Sequence, residues 1–297
     1  MYLPADVFTL IVTQVDTKDY KTLLSLSLTN HFLGWEAARR LYQELDDPPW
    51  LASIHCKLLT TLILRPDLAA IVRSYALQNV SREPRHTEDE LCNLIAAEGE
   101  DCDFSDLPEE LIAILVSKAL PLMVNLKELT YSGPEACALL TSAGFQLEKL
   151  DWRNGWDDGV LDFLKRQRSL KWIKIFPSNS NLRACNAAHP IPPFPWQNLT
   201  TLAGKKAIVE AILPFAPGVR NLALCFTDRH ESITSIFDVS RAIAKCLGQV
   251  TRLALYNYCT DIGVTSLEGT VDNLEYLAVD SLLYDSVSFP SPAPAID

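Results

Sequence analysis

Two places in the 297-residue chain begin to look like reaction centres, and both fail on spacing. His230-Glu231-Ser232-Ile233-Thr234 opens like a zinc helix, in which two histidines four residues apart hold the metal from one face. Position 234 is threonine, so the second ligand is missing. His55 and Cys56 adjoin, but neighbouring residues on a helix point about 100° apart and do not form a base–nucleophile contact. The remaining histidines, His31, His86 and His189, adjoin no triad, and no phosphate-binding glycine loop or nucleophile elbow occurs among only 11 glycines. Cys56, Cys92, Cys102, Cys137, Cys185, Cys225, Cys246 and Cys259 lie singly, which predicts reduced core thiols rather than a disulfide framework or a zinc site. The expectation is a protein that is not an enzyme and needs no metal or cofactor.

Side chains suited to binding are easier to find, once the elements that present them are read. A six-residue pattern, apolar-x-x-apolar-x-apolar, recurs from Leu126, Leu147, Leu170, Val219, Val250 and Leu274, with a weaker copy from Leu199 and an earlier one from Val72. The mean interval is about 25 residues, within the range of leucine-rich repeats. Between the copies, residues 109–123, 135–143, 157–165, 205–215, 233–247 and 262–267 have helical apolar spacing. Each strand is too short to bury its apolar face alone. Stacking the units side by side solves this, and it predicts an α/β solenoid with a parallel sheet and helices on the outer face. The asparagine expected three residues beyond each pattern is absent: those positions hold Pro134, Gly155, Ser178, Thr227 and Tyr258.

Side chains alternate along a strand, so the positions between and just after the core-facing ones belong to the open face. They are Lys149, Asp151 and Arg153, then Trp172, Lys174 and Phe176, then Arg252 and Tyr256, and finally Tyr276 and Asp280. Aromatic residues with Arg and Lys dominate protein–protein hot spots. These positions are therefore the predicted target-binding face, and Arg153 and Lys174, together with Lys165, Arg166 and Arg168, predict a preference for acidic or phosphorylated partners.

The first 47 residues have a different pattern. Val7, Phe8, Ile11, Val12 and Val15 form one helical stripe; Tyr20, Leu23, Leu24, Leu26 and Leu28 a second; Phe32, Trp35, Ala38, Leu41 and Tyr42 a third. Asp16 or Thr17, and Asn30, are the expected caps, and Pro48-Pro49 the expected stop. So small a helical unit buries too little surface to stand alone, so another polypeptide or the adjoining repeats must cover it.

Leu3-Pro4-Ala5-Asp6-Val7, Ile11, Leu23 to Asn30 and Ala38-Arg39-Arg40-Leu41-Tyr42 together resemble the F-box. In that family this motif docks substrate receptors to the Skp-type adaptor of cullin-RING ubiquitin ligases. The resemblance spans residues 3 to 45, and F-boxes are often paired with leucine-rich repeats. It implies a substrate-recognition subunit of an SCF-type ligase, with Leu3, Pro4, Val7, Ile11 and Leu24 contacting the adaptor and the solenoid holding a protein substrate. The alternative is a leucine-rich binding scaffold outside the ubiquitin system. The expected domains are a helical F-box at 1–47, a solenoid at 48–285 with an insertion at 81–106, and a Pro/Ser tail at 286–297 whose composition predicts disorder.

Charge narrows the partners. The net charge is −11, but residues 86 to 110 alone hold ten carboxylates and no Lys or Arg, and the rest is nearly neutral. With pI near 5.0 and no basic stripe, no nucleic-acid partner is expected. The longest uncharged window, residues 184–204, is broken by four prolines and cannot span a membrane. There is no basic residue before Lys18 and no cleavage site, so a cytoplasmic or nuclear location is expected.

Overall fold

The computed structural model describes residues 5–17, 19–45, 52–77, 109–132, 140, 142–154, 158–176, 196–225, 246–256 and 273–280. The chain is α/β, and its described residues fall into two compact units. The first runs to Leu170; the second holds Lys171–Phe176 and the described residues from Trp196 onward.

The first unit opens with three helices, α1 (Ala5–Thr13), α2 (Tyr20–Ser27) and α3 (His31–Gln43). Asn30 caps α3 as its sequence position predicts, with its Oδ1 accepting from Leu33 N at 2.9 Å. The cap of α2 is Asp19 rather than Asp16 or Thr17: its carboxylate accepts from Thr22 N at 3.1 Å, and the Thr22 side chain first and this backbone bond second hold that carboxyl below its ordinary pKa. The stripes pack less completely than their periodicity implies. Only Val12, Leu23 and Ala37 of the three helices are buried, and the backbone of Ser27 comes so close to α3 that a Cβ on Gly34 would stand 2.9 Å from its carbonyl oxygen.

Helix α3 does not wait for Pro48-Pro49 to end. It passes directly into a short strand, β1 (Glu44–Leu45), which no sequence signal announced. Helices α4 (Ala52–Leu64) and α5 (Pro66–Ala69) follow, then β2 (Ser74–Leu77), α6 (Glu109–Ala119) with a 3-10 turn at Leu120–Leu122, β3 (Glu128–Tyr131), β4 (Lys149–Trp152) and α7 (Asp158–Arg166). Strands β1 to β4 pair in parallel and in sequence order, with Leu45, Tyr75, Leu129 and Leu150 in one register row and Leu77, Tyr131 and Trp152 in another. All of these are buried, Tyr131 and Trp152 stack at 5.5 Å, and burial pushes the Tyr131 hydroxyl pKa upward.

The second unit repeats the arrangement: β5 (Trp172–Ile175), β6 (Thr201–Lys205), α8 (Lys206–Ile212) with a 3-10 turn at Leu213–Phe215, β7 (Asn221–Cys225), β8 (Arg252–Tyr256) and β9 (Tyr276–Asp280). These strands are also parallel and in order. Ile173, Leu202, Leu222 and Leu253 form the central core row. The weak copy of the pattern is weak for a reason: Gly204 fills its third apolar position, and a Cβ there would lie 2.8 Å from the Ile175 carbonyl oxygen.

Amide side chains just before β3, β4 and β9 tie these turns to neighbouring ones. Asn125 donates to Ala70 O at 2.8 Å, Gln146 to Arg166 O at 3.0 Å and Asn273 to Gly248 O at 2.6 Å. Gln167 goes further inside: its Oε1 accepts from Leu147 N at 2.7 Å and its Nε2 donates to Phe145 O at 3.1 Å. The acidic insertion at 81–106, the Pro-rich loop before Trp196, the helix at 262–267, most of those at 135–143 and 233–247, and the tail at 286–297 lie outside the described residues.

Candidate interaction surfaces

Of the ten large apolar side chains exposed among the described residues, six lie on the three N-terminal helices and a seventh, Leu28, directly follows α2, although these helices are a small part of the chain. Ile11 is 42% exposed, Leu24 57% and Leu28 81%, and Leu10, Tyr20, Phe32 and Trp35 join them. Clustered exposure of this kind marks an interaction surface, whereas apolar residues scattered singly do not. Of the residues expected to contact an adaptor, Ile11 and Leu24 are exposed and Val7 is half-buried; Leu3 and Pro4 lie outside the described residues. Ile11 and Leu24 therefore do not serve to hold the helices together. Val12 and Leu23, one residue away in each helix, do that. Phe8 and Phe32 stack with ring centroids 6.1 Å apart, so α1 and α3 present a shared aromatic ledge.

The face of the first unit's sheet opposite its core carries two ion pairs. Lys149 Nζ meets Glu128 at 2.7 Å across neighbouring strands, and Arg153 meets Asp151 through two contacts of 3.3 Å. Lys149 is exposed and Arg153 partly so, but Asp151 is only 7% exposed, which corrects the expectation of an open position there. Lys165 pairs with Asp162, and Arg166 donates to the carbonyl oxygens of Leu140 and Ala143. Both cations are thus held locally on α7 and its neighbours, and the basic patch expected for an acidic partner loses Arg153, Lys165 and Arg166 to partners within the chain.

On the second unit's corresponding face the register sets two rows that span all five strands. Trp172, Thr201, Asn221, Arg252 and Tyr276 form the first, in which Arg252 and Tyr276 are neighbours while Trp172 stands three strands from Arg252, roughly 14 Å. The second is Lys174 followed by Ala203, Ala223, Ala254 and Ala278, a run of small residues that sequence reading did not single out. Phe176 and Tyr256 pack against these alanines from one side. Lys174 was expected to be open; it is 6% exposed and its Nζ lies 5.5 Å from the Phe176 ring centroid. Burial follows from the neighbours, since alanines leave space that the larger side chains fold into. Of the predicted target-binding positions here, Tyr276 is exposed, and Trp172, Phe176, Arg252 and Tyr256 are half-buried.

A third feature lies at the N-terminal ends of β1 to β4. A cleft of about 430 Å³ is lined by Gln43, Glu44, Arg73, Ser74, Lys127, Glu128 and Glu148. Its size is that of a small-ligand pocket, but every lining residue is polar or charged. These residues precede or begin the strands, outside the apolar pattern, so nothing in the periodicity drew attention to them.

No protein-family model and no curated protein matches the chain. Among the described residues, no group of three or more His, Cys, Asp or Glu stands together as a metal site, and no helix is long and apolar enough to cross a membrane. His55 is buried against Tyr75, with Nε2 2.8 Å from the hydroxyl, and Cys56 beside it is buried with its thiol pKa pushed up to about 12. A thiol so desolvated is not poised as a nucleophile.

Proposed function

We propose that the chain is a non-catalytic substrate-recognition subunit of an SCF-type ubiquitin ligase, with α1 to α3 as an F-box and the strand–helix units as a degenerate leucine-rich solenoid. The observation that carries this reading is the exposed apolar surface of α1 to α3, with Ile11 and Leu24 outward and Val12 and Leu23 inward. Burying side chains such as these contributes about 1.5–3 kcal/mol each, so a partner that covers them gains substantial affinity. The Skp-type adaptor is the partner that the F-box resemblance implies. The receptor then acts by proximity: it holds a target near a charged conjugating enzyme and supplies no acid, base or nucleophile. Target contacts are proposed at Lys149 and Arg153 in the first unit, and at Trp172, Phe176, Arg252, Tyr256 and Tyr276 in the second.

The test is co-purification of the adaptor with the wild-type chain and with Ile11→Asp combined with Leu24→Asp. Both positions are exposed, so the variant is expected to fold with unchanged thermal stability and to lose the adaptor at least tenfold. Equal retention by both chains would end the F-box reading. No retention by the wild-type chain would leave the scaffold outside the ubiquitin system as the better account.

A further inference from the structure

The charged cleft at the N-terminal ends of β1 to β4 is lined by two adjoining rows, Gln43, Arg73, Lys127 and Glu148 in the first and Glu44, Ser74 and Glu128 in the second. Backbone hydrogen bonds fix the row that precedes the strands: Arg73 N donates to Gln43 O at 2.8 Å, Lys127 N to Arg73 O at 2.8 Å and Glu148 N to Lys127 O at 2.7 Å. Its middle is the cationic pair Arg73 and Lys127. Strand register fixes the next row, Glu44 opposite Ser74, Ser74 opposite Glu128 and Glu128 opposite Lys149. Glu44 and Glu128 thus flank a serine from strands roughly 10 Å apart, which leaves room for a cation above the short Ser74 side chain. Among the described residues neither Glu44 nor Arg73 has an ion-pair partner within the chain, whereas Glu128 is already met by Lys149 at 2.7 Å.

We propose that this cleft binds an extended peptide segment carrying one basic and one acidic side chain two residues apart. The basic side chain lies between Glu44 and Glu128 over Ser74, and the acidic one meets Arg73 and Lys127. The spacing follows from geometry: both side chains must enter from one side, and in an extended chain only residues i and i+2 face the same way. A singly charged ligand satisfies one row and confronts the other with like charge or none, so the cleft selects the pair. With no apolar residue in its lining the site supplies charge and register rather than large affinity, and its binding is salt-dependent. This rests on the target-binding half of the proposed function and names a class of target for it; it does not depend on the adaptor.

The experiment titrates the full chain by isothermal calorimetry at low ionic strength with acetyl-Gly-Lys-Ser-Glu-Gly-amide. The control peptides carry Lys-Ser-Lys, Glu-Ser-Glu or Gln-Ser-Gln in the middle. The mixed-charge peptide is expected to bind most tightly, and Glu44→Lys and Arg73→Glu to weaken it about tenfold each. The charge-preserving variants Glu44→Asp and Arg73→Lys are expected to stay within about threefold of wild type, so a tenfold loss is not a general effect of altering these positions. No heat with any peptide, equal binding of the Gln-Ser-Gln peptide, or Lys-Ser-Lys binding as tightly as the mixed peptide each overturns the proposal. Adaptor co-purification on the same variants separates the two readings. Lost peptide with retained adaptor supports the cleft, and a chain that captures the mixed peptide but never the adaptor removes the F-box alone.

Discussion

His55 and Tyr75 meet in the core of the first unit, and a buried imidazole there must stay neutral. Its pKa is lowered from 6.5 to about 4 by desolvation, with Nε2 in hydrogen-bond contact with the Tyr75 hydroxyl. In the unfolded chain His55 takes up a proton near pH 6.5, while in the folded chain it does so only near pH 4, so acid favours unfolding across that interval. Stability is full above pH 6.5, falls as the pH drops toward 4 and loses nothing further from this group below it. The loss between pH 7 and pH 5 is roughly 2 kcal/mol. Denaturant unfolding of wild type and His55→Gln at both pH values measures it: the variant, which keeps a polar partner for Tyr75, is expected to lose that much less. Parallel pH dependence in the two proteins would refute the assignment. The sequence showed why His55 and Cys56 do not react together, but not the true partner of the imidazole. Tyr75 lies twenty residues away, and only the pairing of β2 with its neighbours brings it to α4. Asp151 and Lys174 were misjudged as open for a similar reason: alternation says which face a side chain occupies, and neighbours such as Arg153 and Phe176 decide how much water reaches it.

Helices and strands were legible wherever one period dominated. The apolar pattern located β2 to β9, and helical spacing located α6, α7 and α8. Helix α4 was passed over although it carries a stripe of its own: Cys56, Leu59 and Leu62 recur at helical spacing and are buried, whereas Lys57, Thr60 and Thr61 are not. Strand β1 escaped because two residues carry no period at all. What binds one turn to the next was also hidden, since Gln146 and Gln167 read as ordinary polar residues. Gln167 is 2% exposed and satisfies both a backbone N–H and a backbone C=O of the preceding turn. Gln167→Ala strands both groups away from water, at a cost of about 2–4 kcal/mol. Gln146 makes equivalent bonds to Arg166 O and Arg168 N at a partly open position where water can replace it. Gln146→Ala is therefore expected to cost less than about 1 kcal/mol. Thermal melts of the two variants should differ clearly, and equal shifts would mean that Gln167 is a bystander.

On the scale of the whole chain, the net charge of −11 is concentrated in residues 86 to 110, of which only Glu109 and Glu110, at the start of α6, are among the described residues. Within each unit, cohesion comes from parallel strands paired with their neighbours in sequence. In such an architecture a defect should spread to neighbours first, because the total stability is close to a sum of local and nearest-neighbour contributions. Leu222 sits fully buried in β7, between Leu202 of β6 and Leu253 of β8. Leu222→Ala removes about 2–5 kcal/mol of local packing. Amide hydrogen exchange read by mass spectrometry is expected to show the largest loss of protection in β6, β7 and β8. A smaller loss is expected in β9, and little change in β2 and β3, whose amides are held by their own register rows. A loss spread equally over all strands would mean that the chain opens as one cooperative block, and the repeat architecture would then be the wrong description of how it is held together.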